Sequence, residues 1–194
     1  TDALTLQEIP KHLIVVGGGY IGLELVTAYA KFGAKVTILE GTETIRPGTD
    51  SMLTNVVKRH LKELGVTVIT NAFVQGGENT GNEVNVHVQV NGKDEIVNGD
   101  YCLVSIGRKP NTGNSGLENI GVELDQRGFI KINEKCQTNV EHVYAIGDCA
   151  GGHLLAHKAS YEGKIAAEVI SGLKSAIDFQ AMPFVIFSDL EVDY

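Results

Sequence analysis

The run His12-Leu13-Ile14-Val15-Val16-Gly17-Gly18-Gly19-Tyr20-Ile21-Gly22-Leu23-Glu24 restricts this chain more than any other. Its apolar residues, rich in Val and Ile, predict a strand buried on both faces. A glycine turn follows, and a helical pattern then runs on to Phe32. Each glycine of Gly17-x-Gly19-x-x-Gly22 has its own physical reason. Gly17 permits the tight turn, Gly19 lets the backbone approach a pyrophosphate, and Gly22 lets the helix pack hard on the strand. The first N–H groups of a helix have no partner within it, so they offer donors and a positive dipole end to phosphate.

A glycine pattern alone is a common strand–turn–helix. Here a second predicted strand, Lys35-Val36-Thr37-Ile38-Leu39, ends on Glu40, 18 residues beyond Gly22. That is close to the spacing of an acidic residue that grips an adenine ribose. The carboxylate is expected to accept two hydrogen bonds from the ribose diol, which favours NAD(H). A 2′-phosphate would face it at a cost of about 4 kcal/mol per unit-charge pair at ~4 Å and an effective dielectric near 20. Arg46 is the next cation, too far along to rescue that phosphate unless the loop folds back.

The formal net charge of −8 argues against nucleic acid or an anionic membrane surface as a partner. No apolar run approaches the ~20 residues needed to span a bilayer. Cys102, Cys136 and Cys149 are odd in number and form no close pair, which suits a reducing compartment and three packing residues. The six His show no ligand spacing, so no metal site is expected. The first residues carry neither an initiating Met nor a signal-peptide pattern, so the chain is expected to be an internal piece of something longer.

Along the chain, residues 1–11 lead into a first strand–helix–strand unit over about 12–40. Asp50 is a cap for a helix with the apolar stripe Leu53, Val56, Val57, Leu61 and Leu64, which Gly65 stops. Val66 to Ile69 is a third parallel strand, giving βαβαβ. Glu83 to Val90 alternates strictly, with His87 in the polar register. The Asn91-Gly92 turn returns it through Glu95-Ile96-Val97, so a β-meander replaces the next crossover helix. Tyr101 to Ile106 predicts a buried strand ending at Gly107. A looser stretch from 111 carries a short β-pair near Phe129 to Ile132, a strand over Val143 to Ile146, and a helix over Ala156 to Ile170. Phe184 to Phe187 predicts a strand without partners. The fold class is α/β, a Rossmann-like parallel sheet with a meander crossover.

Four segments in this order, Gly17 to Glu24, Gly107-Arg108-Lys109-Pro110-Asn111, Tyr144-Ala145-Ile146-Gly147-Asp148 and Leu154-Leu155-Ala156-His157-Lys158-Ala159, resemble the pyridine nucleotide–disulphide oxidoreductases. Within that family the likeness is greatest to the dihydrolipoyl dehydrogenase group. The Leu154 to Gly163 run is the most specific element.

The resemblance implies an NAD-binding domain over 1–110, a second portion of an FAD-binding domain over 111–178, and the start of a dimerisation domain over 179–194. It implies that Gly17, Gly18, Gly19, Tyr20, Ile21, Gly22, Leu23, Glu24, Glu40, Val74 and Gly107 surround NAD. Glu24 would lie near the nicotinamide carboxamide. Tyr20 matches a mobile tyrosine of glutathione reductase, with core packing an equal alternative. Asp148 would accept from the ribityl chain of FAD, while Leu154, Leu155, Ala156 and His157 would bring a helix N-terminus to the flavin ring.

The activity implied is oxidation of dihydrolipoamide to lipoamide through a disulphide and FAD, with reduction of NAD⁺. The implied partners are a lipoyl domain of a 2-oxo acid dehydrogenase complex and a second copy in a homodimer. The implied setting is the cytoplasm or the mitochondrial matrix. The family's first glycine fingerprint, its C-x-x-x-x-C disulphide and its catalytic His–Glu pair have no match in these residues, so no catalytic residue is assigned and His157 is not the base. Bound flavin is therefore expected to be weak at most. Leu190 stands where the family pattern has proline. The alternatives are a flavin disulphide reductase of the mercuric or glutathione type and a stand-alone NAD-binding module.

Overall fold

A computed structural model describes residues 2–187 and the backbone of Val192 and Asp193. Ser188 to Glu191, with the proline position at Leu190, lie outside the described residues. The chain divides into two compact units, 1–106 with 183–194, and 107–182.

The first unit is built on β1 (His12–Val16), α1 (Tyr20–Lys31), β2 (Lys35–Leu39), α2 (Ser51–Glu63), β3 (Thr67–Ile69), β4 (Ala72–Asn79), β5 (Val84–Val90), β6 (Lys93–Gly99) and β7 (Tyr101–Val104). A parallel sheet runs in the order β3-β2-β1-β7. Val16 stands opposite both Leu39 and Val104. Successive strands step outward from β1 to β3, and β7 then returns to the other side of β1. The turn after β1 therefore lies where the strand order reverses, outside the carboxyl ends of the strands, the crevice where open α/β sheets hold ligands.

Alternation along β1 explains its continuous apolar run. Leu13 and Val15 join Leu23, Val26, Val57 and Leu61 in the core beneath the helices. Ile14 joins Leu39, Ala72, Val86 and Val88 beneath the antiparallel sheet β4-β5-β6. Asp50 caps α2 by accepting from Met52 N at 2.7 Å. At the other end Gly65 takes φ +75° and Val66 N bonds Leu61 O, as a helix C-terminus closed by glycine requires.

Four expectations need correction. The meander has a strand that sequence reasoning missed: β4, which carries two glycines and a bulge between Val74 and Gly76. Val56, expected in the α2 stripe, is 40% exposed, and Thr54 is buried in the helix instead. The strand expected over 101–106 is an edge and not a buried element. It pairs with β1 alone in its sheet, and Val104 and Ile106 are 63% and 75% exposed. The strand near 185 does have a partner, since β8 (Val185–Ile186) pairs antiparallel with β9 (Val192–Asp193) and Ile186 enters the helix-side core.

The second unit is organised by turns. Its only α-helix among the described residues is α3 (Ala156–Ile170), and two 3-10 turns cover Leu117–Ile120 and Gly147–Ala150. The strand expected over 143–146 is a single bridge, Gln137 to Tyr144. Two backbone bonds flank that bridge, Thr138 N to Val143 O and Ala145 N to Cys136 O. The expected pair near 129–132 is likewise one bridge, Leu124 to Ile130. Two small apolar clusters, around Val122, Ile130 and Ala145 and around Cys136, Ile165 and Ala166, form its core.

Candidate functional site

The turn after β1 uses its glycines unequally. Gly17 stands at φ +102°, and a Cβ there would meet Ser105 O at 2.8 Å. Its N–H bonds Leu39 O, which fixes the turn to the end of β2. Gly22 has no room for a side chain because the Gly17 carbonyl and Ser105 Oγ close on it. The helix thus packs against the turn itself and against Ser105 at the end of β7. Gly18 is constrained as well: its Cβ would meet Ile45 Cγ2 at 2.8 Å and Glu40 Oε2 at 3.2 Å.

Gly19 differs from the others. Its φ of −77° and ψ of 176° suit any residue, and a Cβ there would meet nothing within 4 Å. Neither backbone strain nor protein packing demands glycine at this position. It is the N-cap of α1 and gives no side-chain cap. An open space at an uncapped helix N-terminus fits a phosphate group that a side chain would displace.

Glu40 is 8% exposed and aimed into this turn. Its Oε2 accepts from Gly18 N at 2.7 Å, and its Oε1 accepts from Thr42 N and Thr42 Oγ1, both at 2.8 Å. The one hydroxyl proton of Thr42 also has Thr44 O within 2.7 Å, so the donors fixed on Glu40 are the two backbone N–H groups. A carboxylate has about four lone-pair directions, and about two are left. Neutral donors hold the group in place and leave those directions open.

A correction concerns Arg46. The loop after Glu40 does fold back: Ile45 is fully buried in the helix-side core, and Arg46 N donates to Gly18 O at 3.0 Å. The Arg46 guanidinium lies 5.8 Å from the Tyr20 ring centre, and burial lowers its pKa below the ordinary value. Separation in sequence therefore does not keep this cation from the turn.

Of the remaining residues of the first unit, Tyr20 is half-buried and packs against the core, in keeping with the packing alternative. Leu23 is core, and Ile21 is half-buried. Glu24 Oε1 accepts from Phe187 N at 3.0 Å, which ties the helix to the residue that follows β8. Val74 stands opposite Val88 and packs on the meander core.

In the second unit Gly107 takes φ +141°, a conformation L side chains rarely adopt. Asp148 lies in the 3-10 turn, and its Oδ2 accepts from Arg108 Nη1 at 2.7 Å with both side chains about half exposed. Leu155 is the N-cap of α3 without a side-chain cap. Leu154 is half-buried, and Ala156 and His157 are exposed at the start of that helix. Sequence reasoning missed Thr42, Ser105 and Arg108 as site residues. Ser105 could have been found from its place at the carboxyl end of a strand, and Arg108 from the glycine that precedes it.

A family model described as pyridine nucleotide-disulphide oxidoreductase matches residues 1–163. The chain belongs to this family. It is 51% identical over 191 residues to the dihydrolipoyl dehydrogenase of Geobacillus stearothermophilus, covering 98% of this chain and 41% of that one. With the dihydrolipoyl dehydrogenase of Bacillus subtilis it shares 50% identity over 193 residues, again 41% of the relative. The chain thus spans about two fifths of the length of the curated relatives it matches. Among solved structures, LpdA from Mycobacterium tuberculosis superposes with a TM-score of 0.87 at 32% identity, over 97% of this chain and 40% of that one. The Cu(II) complex of the HOCl-induced flavoprotein disulfide reductase RclA from Escherichia coli gives 0.89 at 30%, over 100% of this chain and 44% of that one. The mixed α/β fold is that of these flavoprotein disulphide reductases. No helix among the described residues is long and apolar enough to cross a membrane.

Proposed function

We propose that residues 1–110 are the NAD(H)-binding domain of a dihydrolipoyl dehydrogenase, that 111–178 are a second portion of its FAD-binding domain, and that 179–194 begin its dimerisation domain. The observation that carries this reading is Gly19, a glycine with ordinary backbone angles and open space where a Cβ would stand. A ligand that needs close backbone approach accounts for it, and nothing among the described residues does. The high identity to enzymes named dihydrolipoyl dehydrogenase supports the particular member of the family.

In this reading the turn holds the pyrophosphate through backbone N–H groups and the dipole end of α1. Glu40 takes the two ribose hydroxyls with its remaining lone pairs. Glu24, at its place on α1, faces the carboxamide end. In the second unit Asp148 offers the oxygen that Arg108 leaves open to a ribityl hydroxyl, and the start of α3 offers backbone donors to the flavin ring. The cofactors supply hydride transfer, and the protein supplies position and electrostatics.

The parent enzyme oxidises dihydrolipoamide, carried on a lipoyl domain, and reduces NAD⁺ through FAD and a redox disulphide. It works as a homodimer in the cytoplasm or the mitochondrial matrix. The disulphide and base lie outside these residues, whose three cysteines are free. Titration calorimetry of this chain with NAD⁺ and NADP⁺ tests the reading. Tighter binding of NAD⁺ is expected. Equal or tighter NADP⁺ would remove the role given to Glu40, and no binding of either would remove the reading.

A further inference from the structure

The residues of the second unit just assigned to flavin rest on a buried ion pair that has no part in that assignment. Lys158 and Glu162 stand one turn apart on α3 with side chains 4% and 2% exposed, and Nζ lies 2.8 Å from Oε1. Both also close on a single residue of the neighbouring turn. Glu162 Oε2 accepts from Gly147 N at 2.7 Å, and Lys158 Nζ donates to Gly147 O at 3.3 Å. Gly147 takes φ +74°, and a Cβ there would come within 3.1 Å of Ala159 Cβ. The turn therefore sits directly on the first turns of the helix, gripped at both polar groups of one glycine.

The neighbours of these residues give the grip a purpose. Asp148 follows Gly147, and Ala156 and His157 precede Lys158. A buried ion pair is weak support for stability, because desolvation offsets most of its attraction. Charge-assisted hydrogen bonds do, however, fix geometry. A ligand that touches two separate elements needs them held to within about 0.5 Å of their working spacing.

We propose that Lys158 and Glu162 are positioning residues: by holding both backbone groups of Gly147 they set the Asp148 carboxylate and the N-terminus of α3 at one fixed spacing for a flavin. The proposal rests on the flavin reading given above. It adds the device that makes the two contacts one site.

The test uses the full chain, labelled with nitrogen-15, and FAD as the probe, followed by amide shifts because binding is weak. Two double variants remove both charges. Lys158→Met with Glu162→Gln keeps an acceptor for Gly147 N, and Lys158→Met with Glu162→Leu keeps none. The parent should show FAD-induced shifts at Asp148 and at 155–157, and the glutamine variant should show the same shifts at a few-fold lower affinity, since it keeps the bond to Gly147 N and loses the one to Gly147 O. The leucine variant should bind about tenfold more weakly or worse, the scale of one buried N–H left without an acceptor. NAD⁺ affinity should stay the same in all three. Equal FAD affinity in the two variants would overturn the proposal.

Should the leucine variant fail to fold, hydrogen exchange decides. The Gly147 amide should exchange as slowly as the middle of α3 in the parent and in the glutamine variant, and rapid exchange there would overturn the proposal. Absence of any FAD-induced shift in the parent would overturn the flavin reading and with it the purpose given to the grip. The exchange result still shows separately whether the grip exists.

Discussion

In the first unit Glu40 Oε2 accepts from Gly18 N at 2.7 Å, and in the second Glu162 Oε2 accepts from Gly147 N at the same distance. Both carboxylates are buried, and both hold a glycine turn. Their other partners differ. Glu40 is completed by Thr42, a neutral donor, at the carboxyl end of β2. Glu162 is completed by the cation Lys158 inside the helix layer. A carboxylate held by neutral donors keeps its charge and a free direction, so it can recognise a ligand. One neutralised by a buried cation holds only the backbone. What surrounds the carboxylate, and not the hydrogen bond to glycine, decides which task it can do.

The largest effect that separates the two comes from removing each carboxylate alone. Glu162→Leu strands a buried ammonium and should cost about 3–5 kcal/mol. Glu40→Leu leaves only neutral donors without an acceptor and should cost about 1–3 kcal/mol. Denaturant unfolding of the two variants checks this, and equal losses would erase the distinction. Next in size is Gly22→Val, which drives a side chain into the Gly17 carbonyl and Ser105 Oγ. Overpacking at such a contact should cost about 1–3 kcal/mol, read in the same experiment.

A smaller change tests charge against shape at Glu40. Glu40→Gln keeps an acceptor but removes the charge, so the preference for NAD⁺ over NADP⁺ should fall by at least about tenfold, the unit-charge pair being screened on the side where the phosphate meets solvent. Calorimetry with both nucleotides measures the ratio. An unchanged ratio would hand discrimination to another group, with Arg46 beside Tyr20 the first to examine.

The smallest effect concerns Cys136, whose Sγ lies 3.5 Å from Glu162 O. Burial, with Glu162 adding to it, pushes this thiol up to about 11 from an ordinary value of 9.0. Folding favours the protonated thiol, so its contribution is whole below pH 9 and is lost as pH rises toward about 11. Cys136→Ala should make stability fall less steeply across that window, measured by denaturant unfolding at several alkaline pH values. An identical slope would show that the thiol keeps its ordinary value.

How much of this was legible in the sequence follows from which interactions are local. Strands β1 to β3 and helices α1 to α3 were legible because apolar periodicity and caps such as Asp50 and Gly65 act over a few residues. The glycine turn and Glu40 were legible through spacing. Strand β4 was not, because Gly76 and Gly77 lower its propensity and its pairing with β5 is what forms it. The expected strand over 143–146 failed for the converse reason: its apolar residues pack into small clusters, and its pairing stops at one bridge to Gln137. The fold-back of Arg46 depends on Ile45 finding the core, and the Gly147 grip on two charges meeting a distant turn. Neither contact leaves a local pattern.

Gly19→Val decides between a nucleotide site and a structural turn. The substitution adds a side chain at ordinary backbone angles into space that no protein atom occupies within 4 Å. The variant and the parent should be melted side by side and titrated with NAD⁺. The variant is expected to melt with the parent and no longer to bind NAD⁺. A variant that melts with the parent and binds NAD⁺ with unchanged affinity would show that the turn is structural and that the nucleotide site lies elsewhere.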